Sequence, residues 1–150
     1  MLTRAINALC VGGENVLQPT DCCCFRGGGF DQQFAGFFCP GREFRQPAFL
    51  ASSFRREVAD MFIRRSDLPS RVLWRIYIDP VEQCRHVNLV QKRVPGLANE
   101  HEYLFAPYSA FRVVAAHWRA GTAHEPHEIE LLAAVDNIGP SEDLPLAPWC

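Results

Sequence analysis

Residues 99–114 read NEHEYLFAPYSAFRVV, in which two glutamates stand directly before an apolar run. On an extended backbone, residues i and i+2 point to the same face, so Glu100 and Glu102 would project together and His101 would point away. Such a pair suits a reaction in which a positive centre forms beside a proton that has to be removed. The other interpretation of an isolated Glu-x-Glu is a charged strand end that faces water.

Two further blocks precede this stretch, Phe25-Arg26-Gly27 and Phe49-Leu50-Ala51-Ser52-Ser53. The guanidinium fork of an arginine matches the oxygens of a diphosphate, and one such charge-assisted hydrogen bond contributes roughly 1.5–3 kcal/mol. The glycine run at 27–29 indicates either a flexible turn or a backbone that approaches a ligand closely. No Gly-Lys-Ser/Thr follows the run, which excludes a P-loop.

In this order, the three blocks resemble the signature of the arginine-type mono-ADP-ribosyltransferases, the R-S-E group of bacterial toxins and vertebrate ecto-enzymes. The resemblance implies an α+β fold, with two small sheets packed at a steep angle around an NAD cleft and a few short helices. It implies NAD as co-substrate and the following NAD-binding residues: Arg26, Gly27, Ser52 and Ser53. It also implies transfer of ADP-ribose to an arginine of a protein acceptor, with release of nicotinamide.

The resemblance gives the two glutamates separate roles. Glu102 would be the catalytic carboxylate, because a hydrogen bond to the ribose 2′-hydroxyl stabilises a cation-like sugar in place. Glu100 would engage the acceptor arginine and take its proton, since a protonated guanidinium is a poor nucleophile.

One position departs from the family pattern. Ala51 stands where relatives carry the serine that helps to hold the catalytic glutamate, and alanine cannot donate a hydrogen bond. Either another group orients Glu102, or the activity is weak or lost. The alternative function is therefore an NAD glycohydrolase, or an inactive relative that binds NAD or a protein.

A third hypothesis is a thiol-rich metal-binding or interaction module built on Cys22–Cys24 and His124–His127. The chain has seven cysteines, but neither segment has the spacing of a zinc site or of a disulfide framework. We expect reduced thiols, a cytoplasmic setting and no bound metal.

Composition fits a soluble globular chain, since 150 residues suffice for one domain with a real core. The net charge of −2 gives no electrostatic case for nucleic acid or an anionic membrane, and no stretch is apolar and long enough to span a bilayer. We expect a catalytic domain over 1–136 and a flexible, proline-rich tail over 137–150.

Local patterns predict the following elements: strands at 22–26, 47–53, 72–78, 86–90, 102–105, 110–118 and 128–135, and a short helix at 3–9. The glycine run should end the first strand, and the aromatic, glycine-rich segment 31–46 should turn at Gly36 and at Pro40-Gly41. A helix should follow Ser53, which could cap it, with Phe54, Val58, Met61 and Phe62 on one apolar stripe.

Overall fold

The computed structural model of this protein describes residues 22–78, 86–88, 101–134 and 143–149, and gives only the backbone for 86–88. The predictions for the helix at 3–9, the strand ends at 89–90 and 135, and Glu100 lie outside these residues.

Eight strands and two helices make up the described chain. In chain order they are β1 Cys23–Phe30, a 3₁₀ helix Gln32–Phe37, β2 Glu43–Gln46, β3 Leu50–Ser53, α1 Arg56–Arg65, β4 Ser70–Tyr77, β5 His86–Asn88, β6 Glu102–Phe105, β7 Ser109–His117 and β8 His127–Ala133. This order confirms the α+β class. The 3₁₀ helix and β2 lie in the segment 31–46, for which turns but no helix or strand were predicted.

The strands are hydrogen-bonded in the order β2-β7-β8-β4-β1-β3-β6-β5. Strands β4 and β8 run parallel, while the other neighbours are antiparallel. Between β1 and β3 one aligned residue pair is described, Phe25 with Ser53. Five strands lie on the β1 side of this pair and three lie on the β3 side. These two groups correspond to the two expected small sheets, and the Phe25–Ser53 pair joins them.

The glycine run does not end β1, contrary to the prediction, because the strand continues beside β4 to Phe30. A Cβ added at Gly27 would lie 1.9 Å from the Ala59 carbonyl oxygen, and one at Gly29 would lie 2.3 Å from Ser66 Oγ. At Gly28, nothing lies within 4 Å of an added Cβ. Gly27 thus lets α1 approach β1 closely, and Gly29 makes room for Ser66 and Leu68 just after the helix, a reason that neither sequence interpretation contained.

The predicted apolar stripe of α1 is not the side of the helix that is buried. The buried residues of the helix are Ala59 and Ile63, which pack on Leu73 and Phe25, whereas Phe62 is 43% exposed. The predicted spacing does place Val58 and Phe62 on one face, but the small side chain of Ala59 makes the close contact with the glycine strand. The N-cap is Arg55, whose side chain makes no capping bond.

Aromatic rings form much of the main core, which includes residues from the C-terminal segment. The ring of Trp149 stacks on Phe38 with centroids 5.0 Å apart. The N–H of Arg45 donates to the Pro145 carbonyl at 2.9 Å, and the N–H of Ala147 donates to the Arg45 carbonyl at 2.8 Å. The prediction of an unpacked tail is therefore wrong for residues 143–149, while a catalytic domain over 1–136 stays a prediction. Within the described ranges, no helix has the length and apolar character needed to cross a bilayer.

Candidate active site

A cleft of about 220 Å³ lies between β1, β3 and α1. It is lined by Phe25, Arg26, Gly27, Ala51, Ser52, Ser53, Val58, Ala59, Phe62 and Glu102. Five of the six residues predicted for the site therefore line one cleft, although they come from three separate segments of the chain. The sixth, Glu100, lies outside the described residues.

Strand register builds the floor of this cleft. Phe25 of β1 pairs with Ser53 of β3, and Ser53 pairs with Glu102 of β6. Directly paired residues share a face of a sheet, so these three side chains form a row across three strands. Ala51 lies on the same face, two residues before Ser53.

Arg26 lies at the junction of the two strand groups, and its side chain is exposed. Its Nη1 donates to the Ala51 carbonyl at 2.8 Å, so the side chain reaches from β1 across to β3. A guanidinium carries five N–H donors in a planar fork, so it can make this contact and bind an anion at the same time.

The two serines differ in what their hydroxyls do. Ser52 is buried, and its Oγ donates to the Tyr103 carbonyl at 2.8 Å, which ties β3 to β6. Ser53 is also buried, and its Oγ accepts from the Arg55 N–H at 3.1 Å, just before α1 begins. A role of either serine in NAD binding stays a prediction.

Glu102 is the first residue of β6 and is partly buried. The residue before it, His101, has φ +47°, a left-handed conformation that is uncommon outside glycine. The His101 carbonyl accepts a hydrogen bond from the Phe54 N–H at 3.2 Å. A shared face for Glu100 and Glu102 was predicted for an extended backbone, and the backbone at His101 is not extended.

Val58 and Phe62 form an apolar wall of the cleft, a role that the sequence interpretation missed. They lie four residues apart on one side of α1. The helical spacing identified this face correctly, but nothing in the spacing tells whether the face meets the core or an open cleft.

His127 lies one residue before the predicted strand 128–135, but in the structure it begins β8 and is 4% exposed. Its Nδ1 accepts from the Arg119 N–H at 3.0 Å, and its Nε2 lies 3.0 Å from Ser70 Oγ. Burial lowers the pKa of His127. These contacts give it a structural role away from the cleft.

The metal-site hypothesis gains no support from the described residues. Across 22–78, 101–134 and 143–149, no group of three histidine, cysteine or acidic side chains is placed to hold a metal ion.

No protein-family model and no curated protein matches the sequence. Solved structures do match the fold. The ADP-ribosyltransferase Vis from Vibrio splendidus, in complex with agmatine, has a TM-score of 0.62 at 20% identity, covering 95% of this chain and 58% of that one. Exoenzyme S from Pseudomonas aeruginosa, in complex with human 14-3-3 protein beta and bound to carba-NAD, has a TM-score of 0.63 at 14% identity, covering 95% and 63%.

The C3 exoenzyme of Clostridium limosum has a TM-score of 0.60 at 11% identity, covering 88% of this chain and 67% of that one. At these identities the likeness shows the fold alone. The chain spans 58% of the Vis structure and 63% of the exoenzyme S structure.

Proposed function

We propose that this chain, which has the fold of the ADP-ribosyltransferases, transfers ADP-ribose from NAD to an arginine of a protein and releases nicotinamide. The observation that carries the proposal is the meeting of Arg26, Gly27, Ser53 and Glu102 in one cleft. These residues come from three blocks that local sequence could not bring together. Only register and strand order make them neighbours.

The cleft offers complementary surfaces to the parts of NAD. Arg26 would bind the diphosphate through its fork of donors. Val58 and Phe62 offer an apolar wall against which a planar ring can pack. A volume of about 220 Å³ is below the roughly 300–1,000 Å³ of sites that enclose a drug-sized ligand, so only part of the dinucleotide would be enclosed. Exoenzyme S bound to carba-NAD gives the fold a precedent for this ligand.

Glu102 would act on the ribose. The bond between ribose C1′ and the nicotinamide nitrogen breaks, and nicotinamide leaves with the bonding pair. The Glu102 carboxylate stabilises the positive charge that develops on the sugar. A guanidine nitrogen of the acceptor then bonds to C1′ and gives its proton to a carboxylate, a role that we assign to Glu100.

Arginine as the acceptor rests on Glu100 and on one further observation. Vis has been solved with agmatine, whose guanidinium group is the same as that of an arginine side chain. A carboxylate two residues before Glu102 is suited to orient such a group.

The second candidate function is NAD hydrolysis, and the Ala51 methyl group in the cleft favours it. A loosely held carboxylate would still assist loss of nicotinamide, while transfer to an acceptor demands closer alignment of the reacting groups. Water would then take the place of the guanidine.

The test follows nicotinamide release and label transfer together, from labelled NAD to an arginine-rich peptide, for wild type and Glu102→Gln. We expect the variant to lose on the order of 100-fold or more in both, because an amide cannot supply the carboxylate charge at the transition state. Glu57→Gln is the matched control, since Glu57 is an exposed acid on α1 outside the cleft. Near wild-type activity of Glu102→Gln would refute the assignment.

The same assay separates the two candidate functions. A peptide with lysine in place of arginine should stay unlabelled, and Glu100→Gln should lower transfer to arginine more than hydrolysis. Nicotinamide release without label on any peptide would favour the glycohydrolase. Equal loss of both activities in Glu100→Gln would contradict its acceptor role.

A further inference from the structure

We propose that Ser53 is the positioning residue for Glu102, in place of the hydroxyl that is missing at position 51. The inference rests on the proposed function, because it concerns the carboxylate that the function makes catalytic.

Strand register places a serine opposite Glu102. Ser53 pairs directly with Glu102 across β3 and β6, whereas Ala51 pairs with Leu104. Directly paired residues have Cβ atoms about 4.5–5.5 Å apart, a separation that a serine hydroxyl and a glutamate carboxylate readily bridge. The side chain facing Glu102 is thus one that can donate a hydrogen bond.

The Ser53 hydroxyl is buried and is able to donate as well as accept. Ser53 is 3% exposed, so bulk water is not its main partner. A hydroxyl has one donor and two acceptor positions, and its oxygen already accepts from the Arg55 N–H. A hydroxyl that accepts at its oxygen can donate its proton at the same time, and Glu102 is the carboxylate directly opposite. Ser52 is not a substitute, because its hydroxyl donates to the Tyr103 carbonyl.

Hydrogen bonds on both sides fix the backbone of the Ser53–Glu102 pair. On one side, Ser52 Oγ bonds to the Tyr103 carbonyl at 2.8 Å. On the other side, the Phe54 N–H bonds to the His101 carbonyl at 3.2 Å. These two tethers hold the backbone of residues 52–54 against that of 101–103, so a Ser53–Glu102 contact costs little further ordering.

The kinetic test uses Ser53→Ala, Ala51→Ser and the double variant. We expect Ser53→Ala to lower kcat for nicotinamide release on the order of 10- to 100-fold, the effect of losing one charge-assisted hydrogen bond, with little change in the KM for NAD. Ala51→Ser should restore most of this loss in the Ser53→Ala background, and Ser53→Thr, which keeps the donor, should retain kcat. A raised KM with unchanged kcat would instead make Ser53 an NAD contact and overturn the proposal.

A second readout does not depend on turnover. The carboxyl carbon of Glu102, followed by NMR during a pH titration, should show a midpoint at higher pH in Ser53→Ala, because a donated hydrogen bond favours the ionised form. Ala51→Ser in that background should move the midpoint back. An unchanged midpoint in Ser53→Ala would overturn the proposal, even for a protein that turns over NAD.

The two readouts also separate failures. If wild type released no nicotinamide, the proposed function would fail while the titration still decided the role of Ser53. Should Ser53→Ala not fold, Ser53→Cys keeps a side chain of similar size with a weaker donor, and the same midpoint comparison applies.

Discussion

Gly27 meets two demands at once, since α1 packs against it and the cleft lies beside it. Replacing Gly27 with alanine should destabilise the protein by about 3 kcal/mol or more, because the added Cβ would lie 1.9 Å from a backbone oxygen that cannot move alone. Urea unfolding measures the effect.

Gly28→Ala is the matched control for this prediction. It adds the same methyl group to the same strand, at a position with nothing within 4 Å. We expect it to change the free energy of unfolding by less than about 1 kcal/mol, in the stabilising direction. Equal effects of the two substitutions would contradict the packing account of the glycine run.

The buried His127 predicts how the free energy of unfolding depends on pH. Its neighbours are Ser70 and Gln32 at Nε2 and the Arg119 N–H at Nδ1, so the neutral ring is the form that fits. Burial lowers the pKa of His127 from its ordinary 6.5 in the folded state. Below that pH the unfolded chain therefore binds a proton that the folded chain does not, and the free energy of unfolding should fall as the pH falls.

The comparison is thermal unfolding at about pH 7.5 and about pH 5.5 for wild type and His127→Gln. We expect the fall in melting temperature between these two pH values to be smaller in His127→Gln than in wild type. The fall should be unchanged in His124→Gln, whose side chain is exposed. The pKa of Glu130 is also lowered, chiefly by the Tyr77 hydroxyl, but its stabilising contribution is lost only as the pH falls below about 4.5. A slope unchanged by His127→Gln would count against this explanation.

At the scale of elements, α1 has two apolar sides with different tasks. Ile63 is 1% exposed and packs on β1 and β4, whereas Phe62 lines the cleft. Ile63→Ala should cost about 2–5 kcal/mol of stability and leave NAD affinity nearly unchanged. Phe62→Ala should do the reverse, with weaker NAD binding and a stability loss below about 1.5 kcal/mol.

Calorimetric titration with NAD and urea unfolding of both variants test this division. Loss of NAD affinity in a folded Ile63→Ala variant, with affinity retained in Phe62→Ala, would reverse the assignment of the two sides.

Strands with a local signal were predicted well. The expected bounds 102–105 match β6, and 72–78 overlaps β4 at Ser70–Tyr77, because runs of apolar and β-branched residues are a property of the segment itself. The long β1 was not predictable in this way. Its glycines disfavour a strand locally, and the reason for them is a helix carbonyl 32 residues further on, at Ala59.

The candidate site shows the same limit. Resemblance alone named Arg26 and Glu102, and the structure brings both to one cleft. Nothing in the sequence indicated that Phe62 lines the cleft, because a helical stripe indicates a face and not what that face contacts. The left-handed turn at His101 was hidden too, since no glycine or asparagine marks it.

At the scale of the whole molecule, the C-terminal segment belongs to the core. Trp149 contacts the rings of Phe34, Phe37, Phe38, Phe44 and Trp74, at centroid distances from 5.0 to 6.4 Å. Trp74 in turn pairs with Arg26 across β1 and β4. The segment therefore supports the strand pair that carries the cleft arginine, a contact that its proline-rich sequence did not indicate.

Trp149→Ala should cost about 3–5 kcal/mol, because it removes a large ring from an aromatic cluster. Leu146→Ala is the control from the same segment, as its side chain is 53% exposed, and we expect less than about 1 kcal/mol. Thermal unfolding of both variants measures the difference. A Trp149→Ala variant that melts at the same temperature as wild type would show that the segment contributes little to the stability of the folded state.

The single described pair between β1 and β3 has a mechanical consequence. The junction between the two strand groups is therefore the part of the described sheet with the fewest aligned pairs. Arg26 and Glu102 lie on opposite sides of this junction. A dinucleotide bound by residues on both sides would cross-link the two strand groups. Amide hydrogen exchange in β3 and β6 should then slow when NAD binds, while exchange in β7 and β8 stays as it was.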